Sequence, residues 1–278
     1  DGARIRRIGN VAERTYDVEF SADGKLLAVA AGTPGQMGEV KLFNPADGTL
    51  VRDLVTTSDA VFAVAFSPDQ KRLAACSADR SIRVFNLETG AQDLLIEDHA
   101  DWVLDVTWSP DGKRLASGSR DKTAKLFDAV KGESLLTFPG HNDVVYGVDF
   151  SPDGKQVLSA GRDKKIRVWN PENAKQIREI GGFAGEVYRD IVTPDGRVFS
   201  CGTDKQAREH KLADGKQVRA FAGHTDWVYS LAFDPTTKRL ATGSWDGEIR
   251  LWNTEDGKQV TQFVAAPGYK PAATTAAK

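Results

Sequence analysis

Apolar and polar residues alternate along most of this chain in short runs, such as "VYGVDF" over Val145–Phe150, "QVLSAG" over 156–161 and "KIRVWN" over 165–170. A period of two across five or six residues is that of a strand whose side chains point by turns to the two faces of a sheet. Between the runs stand Pro-Asp-Gly, Asp-Gly or a lone Asp, residues that favour tight reversals of the backbone. The pattern predicts short antiparallel strands joined by hairpins rather than helices, and therefore an all-β fold.

The pattern also repeats. "FSADGK" at Phe20, "FSPDQK" at Phe66, "WSPDGK" at Trp108, "FSPDGK" at Phe150, "VTPDGR" at Val192 and "FDPTTK" at Phe233 are one element, starting 46, 42, 42, 42 and 41 residues apart. Each unit holds an alternating apolar strand, a turn, a second strand, a turn at an Asp, a third strand, and then a fourth such as "GKQVRAF" over 215–221. Four strands in about 42 residues resembles the WD-repeat β-propeller family, in which four-stranded blades surround a central channel. The resemblance covers residues 2–264.

The ends refine the count. "DGARIRRIGNV" at Asp1 aligns without gaps on "DGKQVRAFAGH" at Asp214, so the chain is expected to open on an outer blade strand over 4–8, ahead of six complete blades. That strand would compete with residues 258–263 for one place, and a parent protein with a preceding blade, seven in all, resolves the competition. The propeller is expected over 1–264. Residues 265–278, rich in Ala, Pro and Thr and without periodicity, are expected to form a flexible tail.

Superposed units place His224, Thr242, Asp246 and Trp252 in register with His141, Ser159, Asp163 and Trp169. The family resemblance implies that these positions form a hydrogen-bonded structural network. A catalytic triad is the competing reading, and it fares poorly: the same set occurs twice in one ring, and a nucleophile also needs an oxyanion site and an open cleft. Blade three keeps His99, Ser117 and Asp121 with Phe127 in place of Trp. Blade five has Phe183 for the His and His210 for the Trp, so His210 reads as a packed strand residue rather than a ligand or pH sensor.

Composition narrows the function classes. Thirty-seven basic and 39 acidic residues give a net charge of −2, so no global field favours nucleic acid or an anionic membrane. The longest apolar runs fall far short of the roughly 20 residues that span a bilayer. Cys76 and Cys201 lie three blades apart in the repeat frame, too far for a disulfide, and match no metal spacing. The "PDGK" aspartates Asp111, Asp153 and Asp195 each offer one carboxylate where calcium needs several oxygens, so they are turn residues. No metal site, catalytic residue or cofactor site is expected in this chain.

Function is expected where large aromatic residues share a repeat position. The start of the inner strand holds Tyr16, Phe62, Leu104, Tyr146, Tyr188 and Tyr229. Two residues earlier stand Trp102 and Trp227, and just before the turn aspartates stand Arg120, Arg162 and Trp245. Family resemblance puts these loops on the partner-binding face, and Tyr, Trp and Arg dominate binding hot spots. The alternative, that the tyrosines only pack the channel, does not call for Trp102, Trp227 and Trp245 at loop positions. The chain thus reads as a non-enzymatic scaffold for a protein or peptide partner, with an enzyme domain acting at the channel mouth as the rival.

The phrases "GTPGQMGEVKLFN", "EDHADWV" and "FVAAPGY" further resemble the C-terminal propeller of bacterial WD-repeat proteins that carry a c-type cytochrome domain upstream. That resemblance implies a periplasmic or otherwise exported parent with haem before residue 1. The sequence starts at Asp1 and its single methionine is Met37, which is expected of a processed chain or a fragment.

Overall fold

The computed structural model describes residues 3–265, so the tail expected over 265–278 lies, apart from Ala265, outside the described residues. Six antiparallel sheets of four strands each follow one another in sequence, over residues 14–57, 61–96, 103–138, 145–180, 187–222 and 228–264. In every sheet the strands pair in chain order, so each blade is a simple meander. Blade four shows the plan, with strands Val145–Phe150, Val157–Gly161, Ile166–Trp169 and Gln176–Ile180 from the innermost outward.

The turns follow their residues. At the Pro-Asp-Gly reversals Asp111 Oδ1 accepts bonds from Ser109 Oγ at 2.6 Å and the Lys113 amide at 3.1 Å, which leaves the carboxylate occupied by its own turn. Between second and third strands, Arg80, Lys122, Lys164 and Lys205 take positive φ, and blade six puts Gly247 there. One left-handed residue closes this type of short hairpin.

Apolar faces of successive blades interlock. Val61, Val64 and Phe66 of blade two pack with Ala28, Ala30 and Val40 of blade one. Ala63 and Ala65, on the other face of the same strand, pack with Val103, Val106 and Trp108 of blade three. Clusters of the same kind join three to four, four to five and five to six.

The seam between blades six and one is different. Val18 and Phe20 are 53% and 58% exposed, whereas their equivalents Val148 and Phe150 are 3% and 4% exposed. A Cβ on Gly118 would meet Val145 Cγ1 of the next blade at 2.9 Å, while one on the equivalent Gly243 would find nothing nearer than Ser230 Cβ at 3.9 Å. Two adjoining cavities of about 820 and 830 Å³ run along this seam, lined by Ile5, Phe20 and Phe263 in one and by Tyr16, Trp245 and Ile249 in the other.

The outer strand expected over 4–8 is not formed: residues 3–13 belong to no sheet, and the fourth strand of blade six is Gln259–Val264. A strand needs a partner for its amides, and blade six has already filled that edge. Ile8 instead packs on Val29, Ala31 and Phe43 of blade one.

Candidate functional site

In three blades the histidine, hydroxyl and aspartate come together as buried sets. His141 Nδ1 lies 3.0 Å from Asp163 Oδ1 and Nε2 lies 2.7 Å from Ser159 Oγ, which also accepts the Trp169 indole N–H at 2.8 Å. His224 makes the same contacts with Asp246 at 3.1 Å and Thr242 at 2.7 Å, and Trp252 donates to Thr242 Oγ1 at 2.9 Å. His99 joins Asp121 and Ser117 at 2.8 and 2.7 Å beside Phe127. Burial works against the Asp163 carboxylate, yet the bonds and charge of His141 and Arg167 hold it down to about 2. Both ring nitrogens of each histidine are engaged, and each hydroxyl is turned inward. The sets tie loop, strand and turn together and present no free nucleophile.

Blade five shows what the substitutions cost. The Phe183 ring lies 5.4 Å from that of His210, tilted by 51°, and the buried His210 Nδ1 and Ser200 Oγ have no hydrogen-bond partner among the described residues. Burial, with the nearby Arg208 charge, pushes His210 down to about 4, so it is neutral near pH 7.

The aromatic positions form an arc around one mouth of the channel. Tyr188 stacks on Tyr229 with ring centroids 4.8 Å apart and planes 7° from parallel, and Tyr146 meets Tyr188 edge-on at 5.0 Å. Trp227 and Trp245 flank Tyr229 at 6.3 and 5.3 Å. On the other side Tyr16, Phe62 and Trp102 follow one another at 5.1 and 5.5 Å, with the Arg120 guanidinium 4.7 Å over the Trp102 ring. Leu104 lies between the two groups on the same lining. Arg162 bonds Glu186 at 3.1 Å, and Glu186 accepts the Tyr146 hydroxyl at 3.0 Å.

Main-chain bonds fix this rim. The Arg120 amide donates to the Trp102 carbonyl at 2.9 Å, and the Trp245 amide to the Trp227 carbonyl at 2.9 Å. Asp101 and Asp226 each accept the amide of the following tryptophan at 2.8 Å. Trp227, Tyr229 and Trp245 remain among the exposed large apolar residues of the chain. Rigid, exposed aromatics are suited to binding because little side-chain entropy is lost on contact.

Sequence reasoning did not find the acidic lining beneath this rim. Asp17, Glu19, Asp105 and Asp149 lie on innermost strands and bond backbone amides of the next blade: Val64, Phe66, Val148 and Val192, at 3.2, 3.0, 2.9 and 2.8 Å. Burial raises Glu19 and Asp149 to about 7 and Asp105 to about 6. The signal was available, because Asp17 and Asp105 share one repeat position and Glu19 and Asp149 another.

Meandering four-stranded blades about a channel, braced by His–hydroxyl–Asp–Trp sets, define a repeat-built β-propeller. The sequence profile of the family described as "WD domain, G-beta repeat" matches residues 48–86, 92–128, 132–170 and 215–253, more than half of the chain. The chain belongs to this family. Among curated proteins it is similar to the intraflagellar transport protein 122 homolog of Danio rerio, 41% identical over 75 residues that make 27% of this chain and 6% of the relative. It is also similar to the protein groucho of Drosophila melanogaster, 34% identical over 85 residues, 30% of this chain and 12% of the relative. A third relative, eukaryotic translation initiation factor 3 subunit I of Emericella nidulans, is 35% identical over 63 residues, 23% of this chain and 19% of that protein. The chain thus spans a small part of each relative.

Proposed function

We propose that this chain is a non-catalytic scaffold that binds a protein or peptide partner on its aromatic rim. The carrying observation is the continuous arc from Tyr146 through Tyr188 and Tyr229 to Trp227 and Trp245, exposed at its end and held by backbone bonds. Membership of the WD-repeat family fits the reading by analogy of fold. The near-neutral charge and acidic channel favour protein over nucleic acid. The rival, an enzyme at the channel mouth, finds no base in the histidines: the three His–hydroxyl–Asp sets are internally satisfied, and His210 is buried.

A pull-down from native extract tests the face. Trp227→Ala with Tyr229→Ala should lose a partner that wild type and Asp153→Ala, on a turn of the inner-to-second-strand hairpin, both retain. Each single change should cost about 2 kcal/mol of affinity with little change in Tm. Identical partner lists for all proteins would remove the rim as the binding face.

Two wider readings belong with this one. The exposed Val18 and Phe20 support a further blade seated in the seam, making a seven-bladed ring in the parent protein. The three sequence phrases support a parent that is exported and bears a c-type haem domain ahead of the propeller. The upstream coding sequence tests both: a blade-length repeat, a signal peptide and Cys-x-x-Cys-His are expected, and their absence overturns them.

A further inference from the structure

The innermost strand of blade five breaks the pattern of the other blades. Where they place Val18, Val64, Val106, Val148 and Leu231, it places Asp190. This side chain is 4% exposed, and neither carboxylate oxygen has a hydrogen-bond partner among the described residues. A buried, unpartnered carboxylate costs stability, and a valine of similar size would avoid that cost.

Space has been made for it. Asp190 Oδ1 lies 2.9 Å from the point a Cβ on Gly147 would occupy, so any larger residue there would displace the carboxylate. The equivalents of Gly147 are Asp17, Ala63, Asp105, Arg189 and Ser230, residues of the innermost strands beside the channel. Asp190 thus lies over a glycine, its carboxylate oxygens shielded from solvent, in the wall of a cavity of about 350 Å³ that all six innermost strands line. Glu19, Asp105 and Asp149 line the same cavity, with Arg189 as its single cation among the described residues. Asp105 and Arg189 also line the aromatic mouth, so rim and acidic interior are continuous.

We propose that the channel receives one basic side chain of the protein partner, an arginine or lysine that passes the tyrosine rim and ends against Asp190, Asp149 and Asp105. The inference rests on the rim being the partner-binding face and names what that face selects. Aromatic faces attract a cation at the mouth, and carboxylates in a low-dielectric channel hold it below. The long apolar stem of either residue suits the tyrosine-lined neck. A bare metal ion fits less well: Asp17, Glu19, Asp105 and Asp149 are each already bonded to main-chain amides, and the His/Cys/Asp/Glu group of metal-binding spacing found among the described residues is His224, Asp246 and Glu248, away from the channel.

Capped tripeptides Ala-Arg-Ala, Ala-Lys-Ala and Ala-Gln-Ala, titrated into the whole chain by amide NMR, test the proposal. A basic peptide should bind and shift the Arg189 and Asp190 amides, whereas the glutamine peptide should not. Asp190→Val should raise Tm, because it restores the residue used in four other blades, and should weaken the basic peptide about tenfold or more. Asp190→Asn, nearly isosteric, should weaken it in the same direction. Equal behaviour of the three peptides, or wild-type affinity in both variants, would overturn the proposal. Displacement of the peptide by equimolar calcium or spermidine would reassign the channel to a small ion and overturn it as well. A partner captured through Trp227 and Tyr229 but indifferent to Asp190→Val would refute the channel receptor while leaving the rim intact.

Discussion

Arg189 of blade five reaches Asp17 of blade one across the channel, with Nη1 3.1 Å from Oδ1 between residues 172 positions apart. Asp17 in turn accepts the Val64 amide of blade two at 3.2 Å, so one guanidinium links three blades. The pair spans the interior of a ring whose seam is open at the rim, which makes it a brace for closure.

Removing that brace should act in proportion to the negative charge left behind. Arg189→Met should destabilise the chain by about 2–3 kcal/mol at pH 7.5, less than for a fully buried pair because the guanidinium is partly solvated. Carboxyls whose folded pKa is raised contribute stability that is full below about pH 4 and is lost as pH rises through 6 to 7. Arg189 offsets that loss. The deficit of the variant should therefore shrink as pH falls from 7.5 to 5, and a pH-independent gap in urea midpoints would refute the brace.

Trp169→Phe and Trp252→Phe each remove an indole donor from a buried hydroxyl. Ser159 and Thr242 keep their histidine bonds, and blade three shows that His99 and Ser117 stay joined beside Phe127. The loss should thus be one hydrogen bond plus a little packing, about 1–3 kcal/mol each. Unchanged urea midpoints would show that the indoles contribute only bulk.

These networks were legible in the sequence because each member recurs at a fixed repeat position, and a repeated blade repeats its contacts. The alternation of apolar residues likewise gave the four strands of every blade. The channel carboxylates escaped notice for a physical reason. On an alternating strand, Asp17 or Asp149 reads as a solvent-facing residue, and its bond to the next blade's amide exists only once the ring has formed. Asp190 was visible as a break in a column of valines, but its meaning depended on the space above Gly147. The alignment of residues 4–8 on an outer strand was sound as similarity. It misjudged the structure because a strand's identity lies in its partner's hydrogen bonds as well as in its own side chains.

His210 stands where blades four and six place tryptophan, paired in the same way with the second and fourth strands. His210→Trp should bring an indole N–H to the unpartnered Ser200 Oγ and stabilise the chain by about 1 kcal/mol at pH 7. The histidine's folded pKa is depressed to about 4, so the unfolded chain takes up the proton first and wild-type stability falls as pH drops from about 6.5 toward 4. The advantage of the variant should grow by a further 1–2 kcal/mol or so between pH 7 and pH 5. An advantage that stays constant with pH would mean that His210 is solvated and protonates freely.

The seam makes the sharpest contrast, because equivalent residues sit in opposite environments. Phe150 fills the contact between blades three and four and is 4% exposed, while Phe20 faces the open groove and is 58% exposed. Phe150→Ala should cost about 3–5 kcal/mol through lost burial and a residual cavity. Phe20→Ala should cost under about 1 kcal/mol, since little of the ring leaves an apolar environment on unfolding. Hydrogen exchange should agree, with Arg14–Phe20 and the strands of 228–264 opening before those of 103–180. If a further blade occupies the groove in the parent protein, restoring it should bring the Phe20→Ala penalty up to that of Phe150→Ala and equalise protection around the ring. Equal penalties in this chain alone would show that blades six and one already meet in solution, and would remove the basis for a seventh blade.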